Sequence, residues 1–283
     1  MLVIYYVVFM PRRGIDMSKF INDIKKYKKY MFYSAKSGLK SEVAGSRLGW
    51  IWWVLEPVLF MLVYWFIFAV IFGNSTQYFP IYVFIGISMW NFINKTVLDS
   101  VKIVNTNKGI VSKVYLPKYT LIMVEMLMNA FKLAISFAIV IFMMIIYKVG
   151  ITLNVLWLIP IFLTMVLVTF GASCLFAHFG VFVEDLKTLM NVVTRIVFYM
   201  SGVFYELVPM NPAQESKLPD ALALVLTKCN PVAFLMISVR KCLIYSMNID
   251  YWYLLGWFII GAILSMLGVR TIYKYENSYV KVM

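Results

Sequence analysis

Residues 48–72 read LGWIWWVLEPVLFMLVYWFIFAVIF, twenty-five positions with a single charged side chain, Glu56. At 1.5 Å per residue such a helix extends about 37 Å, enough to cross the roughly 30 Å hydrocarbon core of a bilayer. Working outward, five more apolar stretches of similar length follow at about 80–104, 119–147, 153–183, 188–207 and 251–272. The second is punctuated by Asn91, Asn94, Lys95 and Asp99 in its later half, and the fifth contains Arg195. The whole chain is 63% apolar and 14% charged, with a mean hydropathy of +0.84. A soluble domain carries about 45–50% apolar and about 25% charged residues, so an ordinary soluble enzyme is excluded. The reading is an all-α membrane protein with six transmembrane helices.

The net charge of +13 is not spread evenly. Residues 1–50 hold ten Lys and Arg, and four more fall in the loop from Lys102 to Lys118; with Lys187, Arg270, Lys274 and Lys281 one side collects eighteen, against five opposite. Basic residues in short loops stay on the cytoplasmic side, so both termini are expected there, in agreement with an even number of spans. Apolar runs between the basic clusters exclude a nucleic-acid partner as the reason for the charge and make the lipid bilayer the partner instead.

Leu2–Met10 is apolar but too short to span, and the Arg12–Arg13 pair follows it where an export signal carries its charge in front. The expected working start is Met17, with residues 1–16 a non-structural extension. From there Phe20, Ile24, Tyr27 and Met31 recur at helical spacing among Lys19, Lys25, Lys26, Lys28 and Lys29, which predicts an amphipathic helix in the cytoplasmic interface within residues 17–47, ahead of a transmembrane domain over 48–283. The external segment from Glu206 to Asp250 is divided by prolines at 209, 212, 219 and 231 into apolar pieces, Ala221–Leu226 and Val232–Ile244, below spanning length. Such pieces are expected to be re-entrant, between spans five and six.

Catalytic motifs are missing. There is no GxxxxGK[ST] loop for nucleotide phosphates and no HExxH, and the single histidine, His178, has no partner for metal or triad chemistry. Cys174, Cys229 and Cys242 have no metal-type spacing, and a Cys229–Cys242 bond stays open only if that region faces outward. No cofactor and no metal are expected in this chain.

Polar residues within spans are costly and tend to line a wet path or the bundle interior. Glu56, followed by Pro57, either belongs to such a lining and pairs with a basic residue of a neighbouring helix or anchors the span near the interface. The Glu-Pro step is expected to bend its helix. Glu125, Asn129 and Lys132 share one face of the third span, and Lys95, Asp99 and Lys102 one face of the second. These stripes either neutralise one another across helices around a tunnel, or Lys95 and Asp99 pair within one helix while Lys102 reaches the surface. Trp50, Trp52 and Trp53 suit an interfacial belt; Tyr64, Trp65, Tyr82, Trp90 and Tyr199 lie deeper and are candidates for stacking on sugar rings. The candidate substrate path is thus Glu56, Tyr64, Trp65, Tyr82, Trp90, Glu125, Asn129, Lys132 and Tyr199.

With these residues in view, the chain resembles the ABC-2 type permeases that export polysaccharides, O-antigens and teichoic acids. The resemblance rests on Ser46-Arg47-Leu48-Gly49-Trp50 leading into Trp52-Trp53-Val54-Leu55-Glu56-Pro57, on Leu116-Pro117-Lys118, on Val183-Glu184-Asp185-Leu186, on Ser201-Gly202-Val203-Phe204-Tyr205, and on Asn230-Pro231 with Arg240. Two positions depart from the family's pattern: Glu184-Asp185 stands for an Arg-Asp pair, and Gly202 for a proline. The resemblance implies a homodimer in which each protomer docks on one of two copies of a separate ATP-binding subunit, which binds ATP and Mg. It implies that the loop Asn105–Lys118, with Lys108, Lys113 and Pro117, and the turn Glu184, Asp185 and Lys187 are cytoplasmic coupling elements. It implies a polyprenyl-diphosphate-linked glycan or teichoic acid moved outward across the cytoplasmic membrane, its diphosphate attracted by Lys36, Lys40 and Arg47. Alternatives are an ABC-2 exporter of drugs or small lipids, a membrane-embedded glycan enzyme, for which only the scattered carboxylates Glu56, Asp99 and Glu125 are present, and an ion-coupled transporter, for which no internal repeat is seen.

Overall fold

The computed structural model describes residues 17–71, 73, 78–111, 113–209 and 219–282. The extension expected over 1–16 lies outside the described residues, as do 74–77 and the 210–218 part of the long external segment. All regular structure among the described residues is helical. In order the helices are α1 (Met17–Val43), α2 (Trp52–Trp65), α3 (Phe79–Thr106), α4 (Lys108–Val111), α5 (Tyr119–Ile146), α6 (Leu158–Phe182), α7 (Leu186–Met200), α8 (Asp220–Leu224), α9 (Pro231–Leu243) and α10 (Tyr251–Val282). Short 3₁₀ turns lead into α2 and α6, and α2 and α8 each run out into a π-helical stretch, Phe66–Ile71 and Val225–Cys229. The end of the bundle that gathers α1, the α4 connection, the α6–α7 turn and the last turns of α10 is called the basic pole below.

Among the described residues five segments are long and apolar enough to cross a bilayer: Gly49–Phe68, Phe79–Thr106, Tyr119–Ile146, Leu153–Phe182 and Tyr251–Glu276. A sixth is made if Ala221–Cys229 and Pro231–Leu243, bent by 85°, count as one. That bent pair is the expected re-entrant element. The predicted fifth span, 188–207, is cut short. Helix α7 has 15 residues, about 22 Å, because Ser201–Tyr205 turns back onto α3 instead of continuing. Pro57 does not interrupt α2, which remains one helix through it and loosens only at Phe66–Ile71.

Helix α3 is the centre of the bundle: 72% of its most apolar window is buried, against 11–33% in the other four spans. A helix that is apolar all round has no solvated face, and Ile81 to Ile85 are buried on every side. Helix α6 touches it so closely at Gly180 that a Cβ there would stand 1.8 Å from the Val101 carbonyl oxygen. Helices α6 and α10 meet in the same way through Gly171, Gly261 and Gly268, and Ser265 Oγ donates to Leu167 O at 2.8 Å. Within lipid, apolar surface alone gives no drive for helices to associate, and small residues win close packing instead.

Helix α1 forms as its spacing predicts, but its apolar stripe is covered by protein rather than lipid. The Phe20 ring lies 5.2 Å from that of Tyr119, Met31 and Ala35 are buried, and Gly38 leaves room for Met128. Phe32 and Tyr33 are exposed instead. His178 packs among Phe179, Phe182, Tyr275 and Tyr279, with Nδ1 2.8 Å from the Tyr279 hydroxyl. All three cysteines are free.

Candidate functional site

Three groups of residues stand out from the apolar bundle. The first is a polar notch of about 40 Å³ where α2, α3 and α5 meet, lined by Glu56, Ser88, Asn91, Lys95, Asn129, Lys132 and Ser136 with Trp53 and Phe92. The polar stripes of the second and third spans converge here. Lys95 Nζ lies 4.0 Å from Glu56 Oε2, and Lys132 Nζ lies 2.7 Å from Glu42 of α1. Asn129 Nδ2 donates to Thr96 Oγ1 at 3.1 Å, whereas the buried Ser88 hydroxyl finds no partner among the described residues. The two lysines are thus met by two carboxylates from other helices, and the notch is a neutral, hydrogen-bonding surface inside an apolar bundle. The single-helix pairing of Lys95 with Asp99 does not occur. Asp99 reaches Lys187 of α7 at 3.5 Å, because the two side chains, one turn apart on α3, face different neighbours. Glu125 is half-buried one turn nearer the basic pole and is not part of the notch lining.

The second group lies towards the opposite pole around Phe204. Tyr64 stacks on it at 3.5 Å between ring centroids, Phe68 and Phe198 flank it, and Trp90 leans on Phe198 at 5.1 Å. Two candidate stacking residues, Tyr64 and Trp90, therefore come into one aromatic column, but their rings are spent on Phe204 and Phe198. Tyr82 offers no face to a sugar. Its ring carries the Arg240 guanidinium 3.4 Å from the centroid, and its hydroxyl donates to Tyr205 O at 2.9 Å. Trp90 is buried, whereas Trp65 and Tyr199 keep exposed surface.

Arg240 is the residue that sequence reasoning left without a role. It is 0% exposed, and its fork donates to three carbonyls: Nε to Tyr82 O at 3.2 Å, Nη1 to Gly202 O and Nη2 to Val203 O, both at 2.9 Å. A buried charge is tolerated only when its hydrogen bonds are met, and here three backbone oxygens accept them and a π face covers the guanidinium, with the Glu206 carboxylate near enough to act on the charge. Gly86 makes the room, since a Cβ there would stand 2.4 Å from Nη2. Gly202 has φ +63°, which the fixed ring of proline cannot adopt, so the departure from the family pattern has a backbone reason. Asn230 caps α9 by accepting from Val232 N and Ala233 N and donates to Ser201 Oγ at 2.9 Å. The signal for this cluster was present: the Arg240-Lys241 pair in the otherwise apolar piece 232–244 needs internal partners.

The third group is the surface of the basic pole. Lys36, Lys40 and Arg47 are exposed along and after α1, and Asn105, Lys108, Lys113, Glu184 and Asp185 are exposed around the α4 connection and the α6–α7 turn. Ile110, Val114 and Tyr115 form an apolar patch between the lysines. Pro117 and Lys118 differ from their expected place on a docking face. Both are buried, Lys118 at 4% exposure, and Lys118 Nζ pairs with Glu276 of α10 at 3.0 Å. Burial and the neighbouring Glu276 carboxylate push the Tyr115 hydroxyl up to about 12, so it stays a donor, and it donates to Glu276 Oε2 at 3.3 Å.

These features define a multi-pass helical membrane protein with a polar notch within its bundle. No family model matches the chain. Curated relatives do: two O-antigen export system permease proteins RfbA from Klebsiella pneumoniae are each 22% identical over 246 residues, covering 87% of this chain and 91% of the relative. A third RfbA permease, from Myxococcus xanthus, is 23% identical over 224 residues, covering 79% of this chain and 84% of the relative. Over most of its length the chain is therefore similar to proteins named O-antigen export system permeases.

Proposed function

We propose that this chain is the permease subunit of an ATP-driven exporter that moves a lipid-linked polysaccharide outward across the cytoplasmic membrane. The single observation that carries the reading is similarity over 79–87% of the chain to O-antigen export permeases. The neutral notch adds to it, because hydroxyls, amides and compensated charges hydrogen-bond a hydroxyl-rich solute without trapping it. ATP and Mg belong to separate ATP-binding subunits in this scheme, two copies serving a permease homodimer.

Two surfaces support the partners. Helix α7 exposes Thr188, Asn191 and Arg195 on one side, with Val192 and Ile196 exposed nearby. Helix α7 is too short to span alone, and its exposed Arg195 is costly against hydrocarbon, so covering α7 with a second protomer, and leaving a wet conduit between the two, removes that cost. Exposed Lys108, Lys113, Ile110 and Val114 at the basic pole, with Glu184 and Asp185 beside them, suit a cytoplasmic ATPase as partner, and on this reading the basic pole is the cytoplasmic one.

The test is reconstitution. Purified alone, the chain is expected not to hydrolyse ATP; expressed with its genomic neighbours, it is expected to co-purify with an ATPase subunit and to translocate native lipid-linked glycan in vesicles only with ATP. Transport by the chain without any ATPase overturns the proposal, as does labelling that places residues 105–118 on the outer surface.

A further inference from the structure

The connection between α4 and α5 is not a free lever. At its base both oxygens of one carboxylate are taken by it: Glu276 Oε1 accepts from Lys118 Nζ at 3.0 Å, and Oε2 accepts from the Tyr115 hydroxyl at 3.3 Å. Glu276 is itself 7% exposed and stands on the last turns of α10. One turn earlier Tyr273 donates to Asp23 of α1 at 2.6 Å and lies 2.9 Å, hydroxyl to hydroxyl, from Tyr119, the first residue of α5. Two carboxylates therefore tie the loop, α1 and the start of α5 to one helix end. Beyond that end α10 has little freedom to slide, because Gly171, Gly261 and Gly268 set it in backbone contact with α6.

Net stability does not account for such a pair. A buried ion pair gives back little more than its desolvation cost, and apolar residues of similar volume serve stability as well or better. What the pair supplies is fixed geometry between two chain segments.

We propose that Glu276 is the positioning residue through which displacement of the 108–118 loop reaches α10 and, through the glycine contacts, α6. This rests on the reading of that loop as the coupling element. Movement of the loop's exposed apex then carries α10 with it as one body, and the energy of ATP binding is not lost in bending the connection.

The experiment uses the permease with its co-purifying ATPase subunit in proteoliposomes. In the K118M/E276L double variant the apolar replacement is expected to keep assembly and melting temperature, while transported substrate per ATP hydrolysed falls about tenfold, the upper range for changes along a coupling route. A defect that merely loosened the fold would lower hydrolysis and transport together and leave their ratio unchanged. The charge-swapped K118E/E276K variant is expected to recover most of the ratio. An unaltered ratio in K118M/E276L overturns the proposal. A second measurement leaves the latch intact: spin labels at exposed Val114 and Lys274 are expected to keep one separation in nucleotide-free and ATP-bound states, and a separation that changes with nucleotide overturns it as well. Failure of the wild-type chain to bind any ATPase subunit refutes the coupling reading itself and this inference with it, an outcome distinct from normal binding with an unaltered ratio.

Discussion

Replacing Arg240 by Met tests whether the bent helix pair α8–α9 is held by one buried cation. Three carbonyls, Tyr82 O, Gly202 O and Val203 O, lose their donor in Arg240→Met, and the Tyr82 ring loses its stacked charge. Hydrogen bonds to charged groups contribute about 1.5–3 kcal/mol each, and unmet buried acceptors cost about 1–3 kcal/mol each. Methionine also removes the cost of keeping a guanidinium from water, which offsets part of this. A net loss of about 3 kcal/mol follows, and at about 2–4 °C per kcal/mol for a chain of this size the melting temperature should fall by about 6–12 °C. Lysine keeps the charge but lacks the planar fork, so Arg240→Lys should fall between. Gly86→Ala reaches the same cluster from the other side, since its Cβ would stand 2.4 Å from Nη2 and 2.9 Å from Val203 O, and should destabilise with Arg240 still present. Thermal loss of monodispersity in detergent gives the readout. A melting temperature of Arg240→Met within about 2 °C of wild type refutes the clamp.

Lys118→Glu should lose about 3–5 kcal/mol by setting two carboxylates together in a buried site, while Lys108→Glu with Lys113→Glu should leave melting unchanged and weaken only ATPase association, measured by co-purification. Gly180→Ala should impair the fold even though alanine is the best helix former, because its Cβ meets the Val101 carbonyl at 1.8 Å; normal yield and melting would contradict the close α3–α6 contact. Glu56→Gln should change stability by less than about 1 kcal/mol, since the pair with Lys95 is loose and half-exposed, yet lower transport in the vesicle assay. Burial raises the Asp250 carboxyl, but Lys228 and Lys241 outweigh it and hold it below its ordinary value. Its contribution is therefore complete above the ordinary carboxylate range and lost as pH falls through the lower folded value, so the melting curves of wild type and Asp250→Asn should converge in acid.

Reading the sequence located the helices well because a bilayer makes a one-dimensional demand, length of apolar chain, that each segment meets alone. It also singled out Lys95, Asn129 and Lys132, which line the notch, whereas Asp99, Lys102 and Glu125 of the same two stripes do not. It misjudged the end of the predicted fifth span. Val203, Phe204 and Tyr205 extend the apolar run, and the turn-back is held by the Arg240 guanidinium, 38 and 37 residues away from Gly202 and Val203, together with the Tyr82 hydroxyl, which donates to Tyr205 O. The same limit applies to Tyr82, Trp90 and Lys118. A tyrosine that stacks on sugar and one that stacks on arginine look alike in a chain, as do a docking lysine and a buried one.

Hydropathy and the placement of lysines and arginines by themselves determined that this is a helical membrane protein with a basic pole, because burial in lipid is a property of each residue summed along its own helix. Which carboxylate meets which lysine, which aromatic faces are spent, and which glycines let backbones touch were decided only in the tertiary structure. Those are pairwise energies that fall away within a few ångströms, and no single segment carries the identity of its partner.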